Sequence, residues 1–494
     1  MEKIMFKPSL EEVKNAAKTG QYRVIPLSTE MYADTVTPIE VMKKLKNKSG
    51  HCFILESAED TKNWGRYTFL GFNPRLEVTC LNGVMNIVSD KTETFKTDNP
   101  NRHIQEILDR YKSVKFDYLP PFTGGLVGYF AYDYAKYCEP SLKLDAADEE
   151  RFNDVDLMLF DKVIAFDNYR QKIILIVNIA AENIEAEYEK GKSQLEDLKD
   201  LVKNGLPEKT APAVIKSDFK EFFTKEEYCR MVNRAKEHIK EGDIFQVVLS
   251  NRFEADFEGS IFDTYRVLRT INPSPYMFYF GGSNLEIAGA SPETLVKLHD
   301  GKLFTFPLAG TRRRGVNDEE DTALEKELLA DEKELAEHNM LVDLGRNDLG
   351  KISKFGTVTV DKYMSILRFS HVMHIGSTVS GDICEGRSGL DAINAVLPAG
   401  TLSGAPKIRA MQIINEQERN KRGIYGGAIG YLDFTGNMDT CIAIRIVYKR
   451  NNKVFIRSGA GIVADSNPES EYQECVNKSA AAGNALKQSA GGLE

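Results

Sequence analysis

Alternating hydrophobic and polar positions predict antiparallel β-hairpins in the first two hundred residues of the chain. Residues 76–80 and 84–88 alternate on either side of Asn82-Gly83, a dipeptide that accepts the positive φ angles of a tight hairpin turn. Two longer apolar segments, 157–166 and 172–179, flank a polar turn and predict a second hairpin. A charged helical segment follows these strands.

The pattern then changes and indicates a linker followed by a second region. Residues 203–217 contain two prolines among charged residues and are predicted to be a linker. Beyond it, Thr224 and Glu227 have the spacing of a capping box, and apolar residues recur behind them at helical spacing. We therefore divide the chain into an N-terminal region, 1–202, the linker, and a C-terminal region, 218–494.

Strands and helices are mixed in order along the C-terminal region. Two more hairpins are marked by Asp300-Gly301 and by residues 435–437, and the apolar segment 441–447 predicts a further strand. The strict alternation of a parallel fold is missing. This order predicts the α+β fold class.

Composition and charge exclude several classes of protein. Of 494 residues, 42% are hydrophobic and 28% charged, as in soluble globular proteins, and no apolar stretch approaches the ~20 residues of a membrane span. The N-terminus lacks the apolar segment of a signal peptide, so we expect no export and a cytoplasmic location. The net charge of −9 argues against nucleic-acid binding, and seven scattered cysteines indicate reduced thiols.

Two predicted helices each carry a pair of glutamates three residues apart. Glu334 and Glu337 form one pair and Glu471 and Glu474 the other, so each pair places both carboxylates on one helix face. If the helices face each other, the four carboxylates form an oxygen site suited to Mg²⁺. The alternative is two solvated acidic helix faces, and spacing alone leaves both open.

Loops of small residues lie in the same half of the chain and favour an anion site. Such loops bring backbone N–H groups close to a ligand, because no Cβ intervenes. None of them is a Walker A loop. Together with the paired glutamates, they suggest an anionic small molecule held by amides and a metal. The four segments are residues 307–311, 398–406, 425–427 and 458–461.

Histidines and an arginine in apolar segments are further candidates. His371 and His374 could each be a general base near neutral pH or a hydrogen-bonded core residue, and both interpretations stay open. Arg445 lies in the apolar segment 441–447. Because burying a lone charge is costly, we expect a carboxylate partner from the protein or from a ligand.

Longer motifs resemble the chorismate-utilising enzyme family. The segments 307–315, 336–350, 397–410 and 459–465 resemble motifs of that family and occur in the same order. The resemblance implies a four-layer sandwich of two mostly antiparallel β-sheets with flanking helices. It also implies a cleft that binds chorismate with Mg²⁺ as cofactor.

The resemblance assigns metal and substrate roles to individual residues. Glu337 and Glu474 resemble the direct Mg²⁺ ligands, whereas Glu334 and Glu471 resemble the carboxylates that hold its water shell. A larger set resembles the groups that receive the two carboxylates of chorismate. Its members are Gly310, Thr311, Tyr425, Arg445, Gly459, Ala460, Gly461 and Lys478.

The same resemblance implies the type of reaction. Glu293 resembles the general acid that protonates the departing C4 hydroxyl, His374 the residue implicated in eliminating pyruvate, and Thr401 a residue of the same wall. Water-adding members carry a lysine base where this chain has Gln246, and other members attack the ring with a lysine where it has Ala309. With neither lysine, the resemblance implies an external nucleophile. Ammonia added at C2, followed by loss of pyruvate, gives anthranilate.

Elements outside the catalytic motifs are similar to the tryptophan-binding elements of anthranilate synthase large subunits. They contribute Ser57 from one segment and Pro275, Tyr276 and Met277 from another. The resemblance implies feedback inhibition by tryptophan and a glutamine amidotransferase small subunit as partner in a heterotetramer. Two alternatives stay open: an aminodeoxychorismate synthase component I, and a non-catalytic regulator that binds tryptophan.

Overall fold

Two large antiparallel β-sheets with helices on their outer faces form the protein, in a computed structural model that describes residues 5–58, 64–209, 211–368 and 372–493. One apolar cluster lies between the sheets, and two larger clusters join each sheet to its helices. The predicted α+β class and the four-layer sandwich are confirmed. In the described part of the chain, none of the helices combines the length and apolar character that crossing a membrane requires.

The described residues form twelve α-helices and twenty-six strands. The helices are α1 Leu10–Lys18, α2 Pro38–Lys46, α3 Pro100–Arg110, α4 Ala135–Cys138, α5 Ile184–Asn204, α6 Lys225–Lys240, α7 Phe262–Ile271, α8 Asp318–Ala330, α9 Glu332–Gly350, α10 Gly389–Val396, α11 Lys407–Glu418 and α12 Pro468–Ser489. The first thirteen strands are β1 Phe6–Lys7, β2 Val24–Tyr32, β3 Cys52–Glu56, β4 Tyr67–Phe72, β5 Leu76–Leu81, β6 Val84–Val88, β7 Thr92–Lys96, β8 Gly125–Phe130, β9 Val155–Phe160, β10 Lys162–Asp167, β11 Lys172–Ala180, β12 Val214–Ile215 and β13 Lys220–Glu221. The others are β14 Gln246–Glu258, β15 Tyr276–Gly281, β16 Leu285–Ser291, β17 Thr294–His299, β18 Lys302–Thr305, β19 Leu308–Arg313, β20 Thr359–Arg368, β21 Val372–Asp382, β22 Gly404–Ala405, β23 Ala428–Asp433, β24 Met438–Ile442, β25 Ile446–Arg450 and β26 Lys453–Ile462.

Strands from before and after the predicted linker join in both sheets, as two blocks that meet at one strand pair in each sheet. The larger sheet has the order β1-β2-β11-β10-β4-β3-β15-β16-β25-β26-β14-β12, and the smaller β19-β21-β18-β17-β24-β23-β8-β9-β5-β6-β7. β3 therefore pairs with β15, and β8 with β23. Within residues 203–217, Val214–Ile215 form β12, an edge strand on β14. The two predicted regions share one core. The resemblance implies a regulatory, tryptophan-binding role for 1–202 and a catalytic, chorismate-binding role for 218–494, and both roles stay predictions.

Local signals in the sequence account for several element ends. The predicted hairpin of β5 and β6 is confirmed, with φ angles of 50° at Asn82 and 76° at Gly83. The capping box that starts α6 is also confirmed, because the Thr224 side chain accepts from the Glu227 N–H and the Glu227 carboxylate accepts from the Thr224 N–H at 2.9 Å. The helix ends before Gly242, whose φ is 81°.

The chain passes between the sheets at places that the hydrophobic pattern does not reveal. Segment 157–166, predicted as one strand, is β9 of the smaller sheet and β10 of the larger sheet, separated at Asp161. Segment 441–447 is broken in the same way, because β24 ends at Ile442 and β25 begins at Ile446. Both predictions of a single strand are wrong. Residues between two sheets are buried on both sides, so the apolar run continues through the crossing.

Candidate active site

A large cavity of about 1120 Å³ opens between the ends of the two sheets and the helices α9 and α12. We call it the large cavity. Of the sixteen residues predicted for catalysis, substrate and metal, fourteen line it. They are Gln246, Glu293, Gly310, Thr311, Glu337, His374, Thr401, Tyr425, Arg445, Gly459, Gly461, Glu471, Glu474 and Lys478.

The two remaining residues lie directly behind the wall. Ala460 is fully buried in the core under the larger sheet, since strand alternation turns its side chain away from its neighbours Gly459 and Gly461. Glu334 lies behind Gly310, where a Cβ on the glycine would come within 3.2 Å of the Glu334 carboxylate. Neither side chain lines the cavity directly, and the roles that the resemblance assigns to both residues stay predictions.

Two crossings between the sheets place charged residues on the cavity wall. Pro292 and Glu293 lie between β16 and β17, and Arg445 lies between β24 and β25 with a φ of 54°. The crossings bond to each other: the Ile442 N–H donates to the Glu293 carbonyl at 2.9 Å, and the Ala290 N–H donates to the Arg445 carbonyl at 3.2 Å. This mutual support holds both side chains at the cavity.

Glu293 is suited to act as an acid near neutral pH. The cavity reaches it, but the surrounding protein buries it enough to raise the pKa of its carboxyl group to about 7. The hydroxyl of Thr401 donates to Glu293 Oε1 at 2.9 Å and, with the charge of Lys478, limits that rise. A pKa raised this far keeps the protonated form populated near neutral pH, as a general acid requires.

The hydrogen bonds of His374 fix its tautomer. Its Nδ1 lies 2.9 Å from the carbonyl oxygen of Gly310, which can only accept, so Nδ1 carries the proton and Nε2 the lone pair. Burial lowers the pKa of His374. The hydrogen bond to Gly310 opposes this effect, and the positive charge of Arg445 lowers the pKa further. A neutral imidazole on the cavity wall is chemically able to accept a proton. His371 lies outside the described residues.

Arg445 is available for a ligand carboxylate. Burial lowers the pKa of its guanidinium, and the nearby Tyr425 opposes that effect. Within the described residues, no carboxylate forms an ion pair with it. The other partner expected from the sequence, a ligand carboxylate, stays a prediction.

Glycines let backbone groups line the cavity beside Arg445. A Cβ on Gly459 would lie 2.5 Å from the Leu249 carbonyl oxygen and 3.1 Å from the Tyr425 hydroxyl. A Cβ on Gly461 would lie 2.8 Å from the side-chain nitrogen of Gln246. Any larger residue would therefore displace the wall or fill the site.

Three of the four paired glutamates line the large cavity, Glu337 from α9 and Glu471 and Glu474 from α12, with Glu334 behind the wall. The pKa of Glu337 is raised by burial first, and then by the negative charges of Glu334 and Glu474. Burial also raises the pKa of Glu471, and Glu474 adds to it. Carboxylates that repel one another in this way are a donor set that one divalent cation would stabilise, and oxygen ligands suit Mg²⁺. The structure thus brings the two acidic helix faces to one cavity, where Glu337 and Glu474 are exposed to solvent, and a metal ion between them stays a prediction.

Two protein cations already contact this set. Lys478 Nζ lies 2.7 Å from Glu474 Oε1 and also donates to the Gly459 carbonyl at 3.3 Å. Arg312 Nη1 lies 3.7 Å from Glu334 Oε1. A metal ion at the glutamates would compete with these contacts, and loss of the first would release Lys478 toward the substrate side of the cavity.

A buried ionic cluster behind the cavity was not predicted from the sequence. Glu418 accepts from Arg422 at 2.5 Å and from Arg457 at 2.7 Å, and all three side chains are almost fully buried. Arg457 also donates to Ser250, and Arg422 to the carbonyl of Leu402, so the cluster ties β14 and β26 to the turn that carries Thr401. The i,i+4 spacing of Glu418 and Arg422 was the available signal, but it did not indicate burial.

A small cavity of about 550 Å³ lies between the sheets, next to the large one. Ser57, Pro275, Tyr276 and Met277, the four residues predicted for tryptophan, all line it. Its wall also contains residues that were not predicted: Arg66, Phe69, Lys115, Phe278, Lys297, Tyr431, Asp433 and Asp439. Pro275 lines both cavities, so a single residue separates them at this point.

Similar proteins and structures are enzymes of chorismate metabolism. The anthranilate synthase component 1 of Aquifex aeolicus is 47% identical over 97% of each chain, and that of Acetivibrio thermocellus is 46% identical over 98% of this chain and 99% of its own. The crystal structure of anthranilate synthase component I from Streptococcus pneumoniae has a TM-score of 0.74 and 37% identity, covering 92% of this chain and 98% of that one.

The fold extends to more distant enzymes. The menaquinone-specific isochorismate synthase of Escherichia coli has a TM-score of 0.68 with 19% identity, covering 97% of this chain and 98% of that one, so it shares the fold. The sequence profile described as chorismate binding enzyme matches residues 50–483, most of the chain. This chain therefore belongs to the family of chorismate-binding enzymes.

Proposed function

We propose that this chain is the chorismate-converting component of an anthranilate synthase. The observation that carries the proposal is the large cavity itself: a protonatable Glu293 and the unpaired Arg445 face the glutamates of α9 and α12 across one space. The relatives named above support the choice of reaction. Ammonia would add at C2 of chorismate, and pyruvate would then be eliminated to leave anthranilate.

Substrate binding would use both sides of the large cavity. Glu337 and Glu474, with Glu334 and Glu471 beside them, would hold Mg²⁺, which supplies positive charge for the ring carboxylate. Arg445 and the backbone groups of Gly459 and Gly461 would receive the second carboxylate. We infer that this arrangement would place C4 of the ring toward Glu293.

Two proton transfers would then complete the reaction. As ammonia attacks C2, the double bonds shift toward C4, the C4–O bond breaks, and Glu293 gives its proton to the departing hydroxyl. In the second step the nitrogen at C2 has lost the extra proton it gained on attack, a base removes the proton at C2, and the C3–O bond breaks to form the aromatic ring. The departing enolpyruvate takes up a proton and becomes pyruvate. The lone pair of His374 Nε2 makes it our candidate for that base.

The nitrogen source provides the first test. Gln246 and Ala309 present no amine to the cavity, and none of the described residues that line it is a cysteine. We infer that a separate glutamine amidotransferase subunit supplies the ammonia. We expect the purified chain to form anthranilate from chorismate, Mg²⁺ and ammonium at alkaline pH, and to form none from glutamine. Product identification by chromatography measures this.

Other products would decide between the alternatives. An aminodeoxychorismate product would favour the aminodeoxychorismate synthase interpretation, and isochorismate would favour water as the nucleophile. A chain that binds tryptophan but never consumes chorismate would be a regulator. Anthranilate formed from glutamine by the chain alone would contradict the partner subunit, even if the reaction itself is right.

We further propose that tryptophan binds in the small cavity and inhibits. Ser57 borders it beside Tyr276 and Met277, and the aromatic and charged wall offers surfaces for an indole and for an amino acid's charged groups. Ser57→Arg would fill the cavity with a bulky cation. We expect anthranilate formation to stay within about threefold of the parent while inhibition by tryptophan weakens at least about a hundredfold. Inhibition curves on both proteins measure this.

A matched variant controls for the added charge. Ser89→Arg makes the same change in the exposed turn after β6, away from both cavities. It should leave inhibition as in the parent. If Ser57→Arg stays as sensitive as Ser89→Arg, the tryptophan site lies elsewhere.

A further inference from the structure

A short chain of hydrogen bonds links the wall of the small cavity, through the hydroxyl of Tyr276, to the residue that follows Glu293 of the large cavity. It lies 2.9 Å from Asp439 Oδ1 and 2.8 Å from Thr294 Oγ1. Since a carboxylate only accepts, the phenol donates to Asp439 and accepts from the Thr294 hydroxyl. The other carboxylate oxygen of Asp439 contacts Lys297 Nζ at 3.0 Å, which anchors the end of the chain.

Thr294 is the residue directly after the proposed acid. It begins β17, where the chain completes its crossing from the larger sheet, and the pairing of β17 with β24 is irregular between Thr294 and Val296. On the other side of Glu293, the Ser291 hydroxyl donates to the Ile442 carbonyl at 2.7 Å. The crossing is thus held at both ends, and side-chain hydrogen bonds from Tyr276 hold the end that faces the small cavity.

The location of Tyr276 makes that hold accessible to a ligand. Tyr276 lines the small cavity but not the large one, while its neighbour Pro275 lines both. We propose that Tyr276 is a positioning residue for Glu293, and that a ligand in the small cavity acts on the acid by moving this phenol and with it Thr294. The inference rests on the proposed function and identifies the route by which its regulation reaches the active site.

Removing the hydroxyl alone tests the link. Tyr276→Phe keeps the ring in the small-cavity wall but breaks the chain to Thr294 and Asp439. We expect kcat for anthranilate to fall about fivefold with KM for chorismate within about twofold, because the acid is misplaced while the substrate groups are untouched. L-Tryptophan should still bind in calorimetry, but its maximal inhibition should become partial.

Tyr279→Phe is the matched control. It removes a second phenol from the same strand, one whose hydroxyl donates to Glu286 at 2.9 Å and which lines neither cavity. It should leave kcat and maximal inhibition as in the parent, whatever it does to thermal stability. Equal losses in both variants, or parent-like kcat and inhibition in Tyr276→Phe, would overturn the proposal.

Hydrogen–deuterium exchange separates this inference from the proposed function. In the parent, L-tryptophan should change the exchange of peptides that contain residues 291–296, and in Tyr276→Phe it should not. If the parent protein forms no anthranilate, the proposed function is refuted, and the exchange result alone then decides whether Tyr276 connects the small cavity to residues 291–296. If the parent protein forms anthranilate but tryptophan does not bind, or binds without changing the exchange, only the proposed connection through Tyr276 is refuted.

Discussion

Glu474→Gln is expected to lower magnesium-dependent anthranilate formation by about a thousandfold, equivalent to about 4 kcal/mol, and Glu337→Gln is expected to do the same. Each change removes a charged oxygen ligand without changing side-chain volume, so the cation is held less well while the cavity keeps its shape. Steady-state rates at saturating chorismate over a range of Mg²⁺ concentrations measure the effect.

The stability of the metal-free protein is an independent test of the charge repulsion among the same carboxylates. The folded-state pKa of Glu337 is raised by burial and by its acidic neighbours, so stability is greatest below the unfolded pKa and falls as pH rises through the folded pKa. At neutral pH the ionised side chain therefore destabilises the fold. Glu337→Gln should leave the metal-free Tm unchanged or higher even though activity is lost.

Neighbouring glutamates on the same helices serve as controls. Glu469 on α12 contacts only the exposed Lys225, and Glu332 begins α9 outside the large cavity. Glu469→Gln and Glu332→Gln should keep parental rates. Near-normal turnover in Glu337→Gln or Glu474→Gln would mean that the metal does not bind between these helices.

Glu293→Gln is expected to reduce kcat by about 10² to 10⁴, the usual contribution of a general acid. Glutamine keeps the shape and can still accept from Thr401, so KM for chorismate should stay within a few fold. Chorismate consumption, rather than only anthranilate release, should be measured, because loss of the acid blocks the first step. An intact rate of chorismate consumption would contradict the assignment of the acid.

The pH dependence of the parent should report the same group. The carboxyl must be protonated to act, and its pKa in the free enzyme is raised to about 7, so kcat/KM at constant free ammonia should fall about tenfold per pH unit above that value. Thr401 and Lys478 are the groups that act on it, and both lower its pKa. If kcat/KM of Glu293→Gln falls in the same way above pH 7, the decline belongs to the titration of another group.

The residues of the large cavity could be predicted because their signals are local in sequence. Spacing of three residues places Glu334 with Glu337, and Glu471 with Glu474, whatever the rest of the fold does. Family motifs then assigned the opposing wall. What spacing alone could not show is that α9 and α12, more than a hundred residues apart in sequence, face the same space.

The strand crossings could not be predicted for a different physical reason. Hydrophobic alternation reports which side of a strand is buried, but between two packed sheets both sides are buried. The hydrophobic pattern therefore does not show the strand breaks at Asp161 and after Ile442. The buried cluster of Glu418, Arg422 and Arg457 was also missed because it depends on tertiary packing. Its charges neutralise one another only after β26 and α11 have packed together.

Because both sheets contain strands from both halves of the chain, the polypeptide cannot be divided at the predicted linker without breaking each sheet. A cut within residues 203–217 would separate β3 from β15 and β8 from β23, leaving long interior strands with unpaired backbone groups at new edges. The C-terminal piece would carry every residue of the large cavity and yet tend to self-associate through those edges. We therefore expect the segment after residue 218 to need the preceding segment in order to fold, so a chain that begins there should not form a stable protein by itself.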